Sequence, residues 1–171
     1  EISLGLVGSE MCIRDRVKEA LFSILQFELP GAKVLDLFGG TGQLGIEALS
    51  RGASHAVFVD SRREACQLIR SNLKKTHLEQ DALVIQRDYM DYLNQCHEQF
   101  HLILLDPPYT EVFLENSIKR ITEIDILQSN GIIATERPLG KELPWEFPGF
   151  TRSKDYKYGQ ILLTFYRKNE E

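Results

Sequence analysis

Asp106-Pro107-Pro108-Tyr109 sets a carboxylate, two prolines and a phenol directly after the apolar run Phe100–Leu105. That run reads as a buried strand. Consecutive prolines remove two backbone donors and fix φ twice, so neither a central strand nor a helix interior continues through them. The chain must leave the sheet at Asp106 as a stiff, extended arc. Backbone carbonyls that no following N–H claims then lie beside a carboxylate and an aromatic ring. Such a set accepts hydrogen bonds from a flat, amino-bearing ring and stacks on its face. The chemically silent alternative is a strand-ending turn with a surface tyrosine.

A second constellation lies upstream. Gly40-Thr41-Gly42-Gln43-Leu44-Gly45 fits G-x-G-x-x-G, after the apolar run 33–38 and before a helical pattern. Glycines let the backbone turn sharply and approach a ligand closely. The helix that follows offers free N–H groups and partial positive charge to an anion. Asp60 closes the next apolar run, about 20 residues on, where a carboxylate accepts both ribose hydroxyls. The pattern alone fits a dinucleotide or S-adenosylmethionine. Asp36, just before the glycines, suits an ammonium group and would repel a pyrophosphate. Asp88, just past the third strand, is placed for an adenine amino group, or for a helix N-cap. Together the acids favour S-adenosylmethionine over NAD.

Holding these groups requires strands that end along one edge. Apolar periodicity predicts a helix over 15–27, ended by Pro30-Gly31, and strands at 33–38, 55–60, 82–86, 100–106 and 132–136. Helices fall between them: through Leu44–Leu49, over 62–75 with Ala65, Leu68, Ile69 and Leu73 inward, from Asp88 to Cys96, and over 110–124. In that last helix Val112, Phe113, Ile118 and Ile121 share a face. A proline-rich loop at 138–148 precedes two strands, 151–156 and 160–167, joined at Tyr158-Gly159 as a hairpin. The alternation specifies a Rossmann-like, doubly wound, mostly parallel seven-stranded sheet with a C-terminal antiparallel hairpin.

With 171 residues and no apolar run long enough to span a bilayer, the chain reads as one cytoplasmic domain lacking a signal peptide. Cys12, Cys66 and Cys96 form no C-x-x-C pair and read as reduced thiols, with no metal site. The net charge of −5 counts mildly against a nucleic-acid binder, although total charge says little about a local patch, and bunched basic residues such as Arg14, Arg16 and Lys18 read most simply as a solvated face.

The run from Asp36-Leu-Phe-Gly-Gly-Thr-Gly through Ala53 resembles the RsmD family, as do Asp106-Pro-Pro-Tyr109, Tyr158-Gly159, the ending Phe165-Tyr-Arg167 and Asp15-Arg-Val-Lys-Glu-Ala-Leu-Phe22. The likeness covers about residues 15–167. It implies a class I methyltransferase that transfers a methyl group from S-adenosylmethionine to the N2 amine of a guanine in bacterial small-subunit (16S) ribosomal RNA. The expected partner is that RNA or the assembling subunit, with no membrane, and the enzyme is expected as a monomer. The resemblance places Asp36, Phe38, Gly40, Gly42, Gly45, Asp60 and Asp88 at the cofactor. It places Asp106, Pro107 and Tyr109 at the chemistry, and Arg16, Pro108 and Tyr158 toward the substrate. Arg16 also reads as a surface arginine, and Tyr158 as a turn aromatic packed on the sheet. Residues 1–14 depart from the family, lacking a basic residue before Arg14, and read as an atypical or truncated segment ahead of a methyltransferase domain over 15–171.

Direct transfer to an exocyclic amine needs positioning, because its lone pair is delocalised into the base. Asp106 and the Pro107 carbonyl would accept the amine protons and hold the nitrogen in line, while Tyr109 stacks on the base. Either Asp106 or water would take the departing proton. Adenine N6 methylation of DNA or RNA uses the same tetrapeptide, and a protein or small-molecule amine is a related acceptor. A NAD- or nucleotide-binding module remains the reading from a different class.

Overall fold

The computed structural model describes residues 2–108 and 111–170, with side chains described from Ile13 onward except at Glu111. Its elements run α1 (Ile2–Ile24), β1 (Lys33–Asp36), α2 (Gln43–Ser50), β2 (His55–Asp60), α3 (Arg63–Lys75) and β3 (Ala82–Gln86). Then come α4 (Tyr89–Gln95), β4 (Phe100–Leu105), α5 (Glu111–Glu123), β5 (Leu127–Pro138), β6 (Phe150–Arg152), β7 (Tyr156–Tyr158) and β8 (Ile161–Lys168).

The strands form one sheet in the order β3-β2-β1-β4-β5-β8-β6, with β7 also paired to β8. The first five run parallel, and β8 returns antiparallel against β5, from Ile132↔Arg167 to Pro138↔Ile161. Chain order reverses between β1 and β4, which makes a topological switch point at their carboxyl ends.

Strand periodicity sorts the core into two layers. Val34, Phe58, Leu102, Leu104, Ile132 and Ala134 face α1, α2 and α3, where Val17, Leu21, Phe22, Ala48, Ile69 and Leu73 meet them. Leu35, Val57, Ile103, Leu105 and Ile133 face the other way, against Tyr92 and Leu93 of α4 and Leu114, Ile118 and Ile121 of α5. Strands buried on both faces read as continuous apolar runs, which is why the sequence shows them so clearly.

Several expectations shift. The helix expected at residue 15 begins at Ile2. Leu68 is 44% exposed and Val112 62%, so both lie outside the apolar stripes assigned to them. Cys66 and Leu114 fill those inward positions instead. β1 stops at Asp36, short of Phe38, because the glycine turn begins there. The first arm of the C-terminal hairpin is split in two, since Ser153–Asp155 leaves the ladder and presents Asp155 to buried arginines.

Candidate functional site

Register and side-chain parity bring four carboxyls to one edge. Asp36 lies level with Phe58 of β2 and Leu104 of β4. Asp60 stands one side-chain step beyond Phe58, Asp106 one step beyond Leu104, and Glu136 one step beyond Ala134, which pairs with Leu104. Successive side chains alternate, so all four share the side facing α1–α3. β1 is shorter than its neighbours, and the turn after it drops into the notch this leaves. The Leu37 N–H donates to the Leu104 carbonyl (3.3 Å) and the Gly39 N–H to the Val59 carbonyl (2.8 Å).

The turn needs its glycines for separate reasons. Gly40 and Gly42 adopt φ of +58° and +82°, where a side chain is strained. A Cβ at Gly45 would lie 2.3 Å from the Phe58 ring, so α2 can approach β2 only without one. The Gly45 N–H then donates to Asp36 Oδ2 at 3.1 Å. Other N–H groups in the first turn of α2 have no intrahelical acceptor.

Asp36 is 2% exposed, and burial pushes its pKa up from 3.8 to about 8. The Gly45 N–H opposes that shift, while the charges of Asp106 and Asp60 add to it. A buried carboxyl beside two others is a site for a cation. Asp60 Oδ2 accepts from the Gly40 N–H (3.0 Å), and Oδ1 accepts from the Arg62 N–H (2.9 Å). The Arg62 guanidinium adds bonds of 3.3 and 3.4 Å. These fill the carboxylate's lone-pair sites, although the Arg62 side chain is 67% exposed and free to swing away.

Asp106 presents open surface toward solvent but sits against the dense strand ends, and that loss of hydration raises its pKa from 3.8 to about 6. Pro107 and Pro108 line a cleft of about 280 Å³ together with Leu114, Glu136, Pro138 and Leu143. Tyr109 lies outside the described residues. Phe38, Tyr89 and Phe113 form a ring cluster at the strand ends, with centroids 5.1 to 6.3 Å apart. Asp88 caps α4, its Oδ1 accepting from the Met90 N–H (2.9 Å) and the Asp91 N–H (3.2 Å). Its Oδ2 takes no bond from the described residues.

Of the substrate-side residues, Arg16 is exposed and stands two residues from Arg14, hence on a different face of α1. Arg14 is the one whose charge reaches Glu136, lowering a pKa that burial and Asp106 raise. Tyr158 is half-buried and packs on the α1–α3 layer, next to where Ile13 approaches Gly159. Sequence reading missed Glu136, Tyr89 and the placement of Phe113 at this edge, and named Arg14 only as part of a basic cluster. For Arg14 a signal existed: with Val17 and Leu21 it follows the i, i+3, i+7 stripe of the buried face.

A β3-β2-β1-β4-β5-β8 sheet with its last pair antiparallel, and a glycine turn set among strand-end acids, define a class I methyltransferase. A solved conserved hypothetical protein from Streptococcus pyogenes superposes with a TM-score of 0.82 at 31% identity, covering 90% of this chain and 95% of that one. The family model described as conserved hypothetical protein 95 matches residues 12–167, and the chain belongs to that family, the RsmD family of RNA methyltransferases. YlbH of Bacillus subtilis is 37% identical over 157 residues, covering 90% of this chain and 85% of the relative. The ribosomal RNA small subunit methyltransferase D of Escherichia coli K12 is 29% identical over 157 residues, covering 92% and 79%.

Proposed function

We propose that this protein transfers the methyl group of S-adenosylmethionine to N2 of a guanine in 16S ribosomal RNA. The observation that carries the reading is the register relation of Asp36 and Asp106. The cation site and the amine-accepting arc hang from adjacent strands, one side-chain step apart, on one side of the sheet.

The chemistry of the donor set fits the cofactor. Asp36 would hold the ammonium end, and the first-turn N–H groups of α2 the carboxylate. Asp60 would accept the ribose hydroxyls once Arg62 swings out. Asp88 keeps Oδ2 for an adenine amino group, and the Phe38 and Tyr89 rings, tilted 41° to each other, supply an apolar wall. The bound cofactor supplies an electrophilic sulfonium methyl. Asp106 and the Pro107 carbonyl accept the protons of the target amine, which orients its lone pair and stabilises charge as it develops. Tyr109 stacks on the base, worth about 1–3 kcal/mol for such contacts. The substrate is the RNA free or in an assembling small subunit, and the enzyme works as a cytoplasmic monomer.

Calorimetry with S-adenosylhomocysteine against NADH separates the cofactors, and binding of NADH alone would end this reading. Methyl transfer from labelled cofactor to small subunits lacking the modification, followed by nucleoside analysis, should give N2-methylguanosine. A product at adenine N6 would replace the guanine assignment.

A further inference from the structure

Glu136 is the carboxyl at this edge with no task in the mechanism above. It continues the inward-facing series Ile132, Ala134 on β5, and the pairing Leu105↔Thr135 carries it alongside Asp106. Neighbouring strands lie about 4.8 Å apart, so the two carboxyls are adjacent across the strand ends. Glu136 lines the same cleft as Pro107 and Pro108. Its carboxyl accepts no hydrogen bond and joins no ion pair among the described residues, yet it is half-buried. Burial first, then the charge of Asp106, raises its pKa from 4.5 to about 7, and Arg14 partly offsets this. Two carboxyls on neighbouring strands, one of them lining the cleft, are satisfied by a ligand with adjacent hydrogen-bond donors.

Guanine has such an edge: N1–H and the N2 amine are neighbouring donors. Adenine offers an amine next to N1, which carries a lone pair and no proton. We propose that Glu136 is the specificity-determining residue of the acceptor site, taking the N1–H of the target guanine while Asp106 takes its N2 amine. The inference rests on the guanine-N2 reading and goes beyond it in explaining why another amine-bearing purine is refused. Above about pH 8, where Glu136 is ionised, a base with a lone pair at N1 would face a carboxylate with nothing to give it, and unpaired polar groups at such a site discriminate strongly.

2,6-Diaminopurine tests this, because it keeps the 2-amine but carries a lone pair at N1. Once the methylated guanine has been located, small-subunit RNA is assembled with either base at that position. Initial rates are then compared at about pH 8, where Glu136 is ionised, for the wild-type protein, Glu136→Ala and Glu136→Gln. Wild type should prefer guanine by about 10- to 100-fold. Glu136→Ala should lower transfer to guanine by a similar factor and leave diaminopurine nearly unchanged, so that the preference collapses. Glu136→Gln, which can turn its NH2 toward N1, should raise transfer to diaminopurine above wild type. S-adenosylhomocysteine affinity should stay within about twofold in both variants.

An equal fall for both bases, or a preference that survives in Glu136→Ala, would overturn the assignment while leaving the methyltransferase reading intact. Absence of N2 methylation by the wild type on guanine would instead overturn the underlying reading, and this proposal with it.

Discussion

Asp106 stands one side-chain step beyond Asp36 on the neighbouring strand, and its negative charge helps to keep the buried Asp36 carboxyl protonated near neutral pH. The surrounding acids therefore favour a proton where the cofactor reading puts a cation. S-adenosylhomocysteine should bind more tightly as pH rises from about 6 to about 8.5, with proton release. Calorimetry in buffers of different ionisation enthalpy measures both, and pH-independent binding would remove Asp36 from the ammonium site.

The same carboxyl makes a stability prediction. Its folded pKa is raised, so its stabilising contribution is complete below the unfolded value near 4 and is lost as pH rises through about 8. Asp36→Asn should raise the melting temperature of the ligand-free protein at pH 8, by about 2–4 °C for each kcal/mol recovered, and abolish cofactor binding. A lower melting temperature would contradict the desolvation argument.

Arg62 occupies the Asp60 oxygens that the ribose needs. The guanidinium is exposed while Asp60 is buried, and solvent screening at the arginine end holds the pair to about 1 kcal/mol, so it yields at little cost. Arg62→Ala should leave cofactor affinity unchanged or tighten it up to about fivefold. Asp60→Ala should weaken it at least tenfold. Titration of the two variants with S-adenosylhomocysteine gives the comparison.

For Asp106 the separation lies between turnover and binding. Asp106→Ala should cut the methyl-transfer rate about 100-fold or more while cofactor affinity stays within a few fold. In the wild type, loss of the ionised carboxylate should make the rate fall as pH drops through about 6. A single-turnover pH profile without that acid limb would show that the Pro107 carbonyl orients the amine alone.

Gly45→Ala tests the close approach of α2 to β2. The new methyl meets the Phe58 ring at 2.3 Å, and ring and backbone must both move. Overpacking of this sort costs about 1–3 kcal/mol, visible as a lower melting temperature and weaker cofactor binding. An unchanged protein would mean that Phe58 has room to turn.

Much of this site was legible because local chemistry and periodicity agree there. Gly40–Gly45 demands a turn, the two prolines demand an exit from the sheet, and Asp60 and Asp106 follow apolar runs too clean to mistake. What stayed hidden depends on relations between distant segments. Glu136 lies in Thr135-Glu136-Arg137, which carries no motif, and only the parallel register of β4 and β5 sets it beside Asp106. Asp88 was legible in both of its readings, and the cap is visible while the adenine contact is a proposal. The split in the hairpin arm was not legible, because Asp155 leaves the ladder to reach Arg137 and Arg152, a tertiary demand with no local signature.

Those arginines have a consequence for how RNA is received. Arg137 holds the Lys141 carbonyl at 2.9 Å and Asp155 at 3.0 Å, and Arg152 holds the Leu143 carbonyl at 2.7 Å, beneath the Trp145 ring. Tyr166 adds a bond from its hydroxyl to the Pro144 carbonyl. The loop forming the far wall of the acceptor cleft is thus pinned from below before any nucleic acid arrives. For the proposed guanine acceptor, that wall is set before the substrate arrives, so drawing the base out of its stack would fall to the RNA.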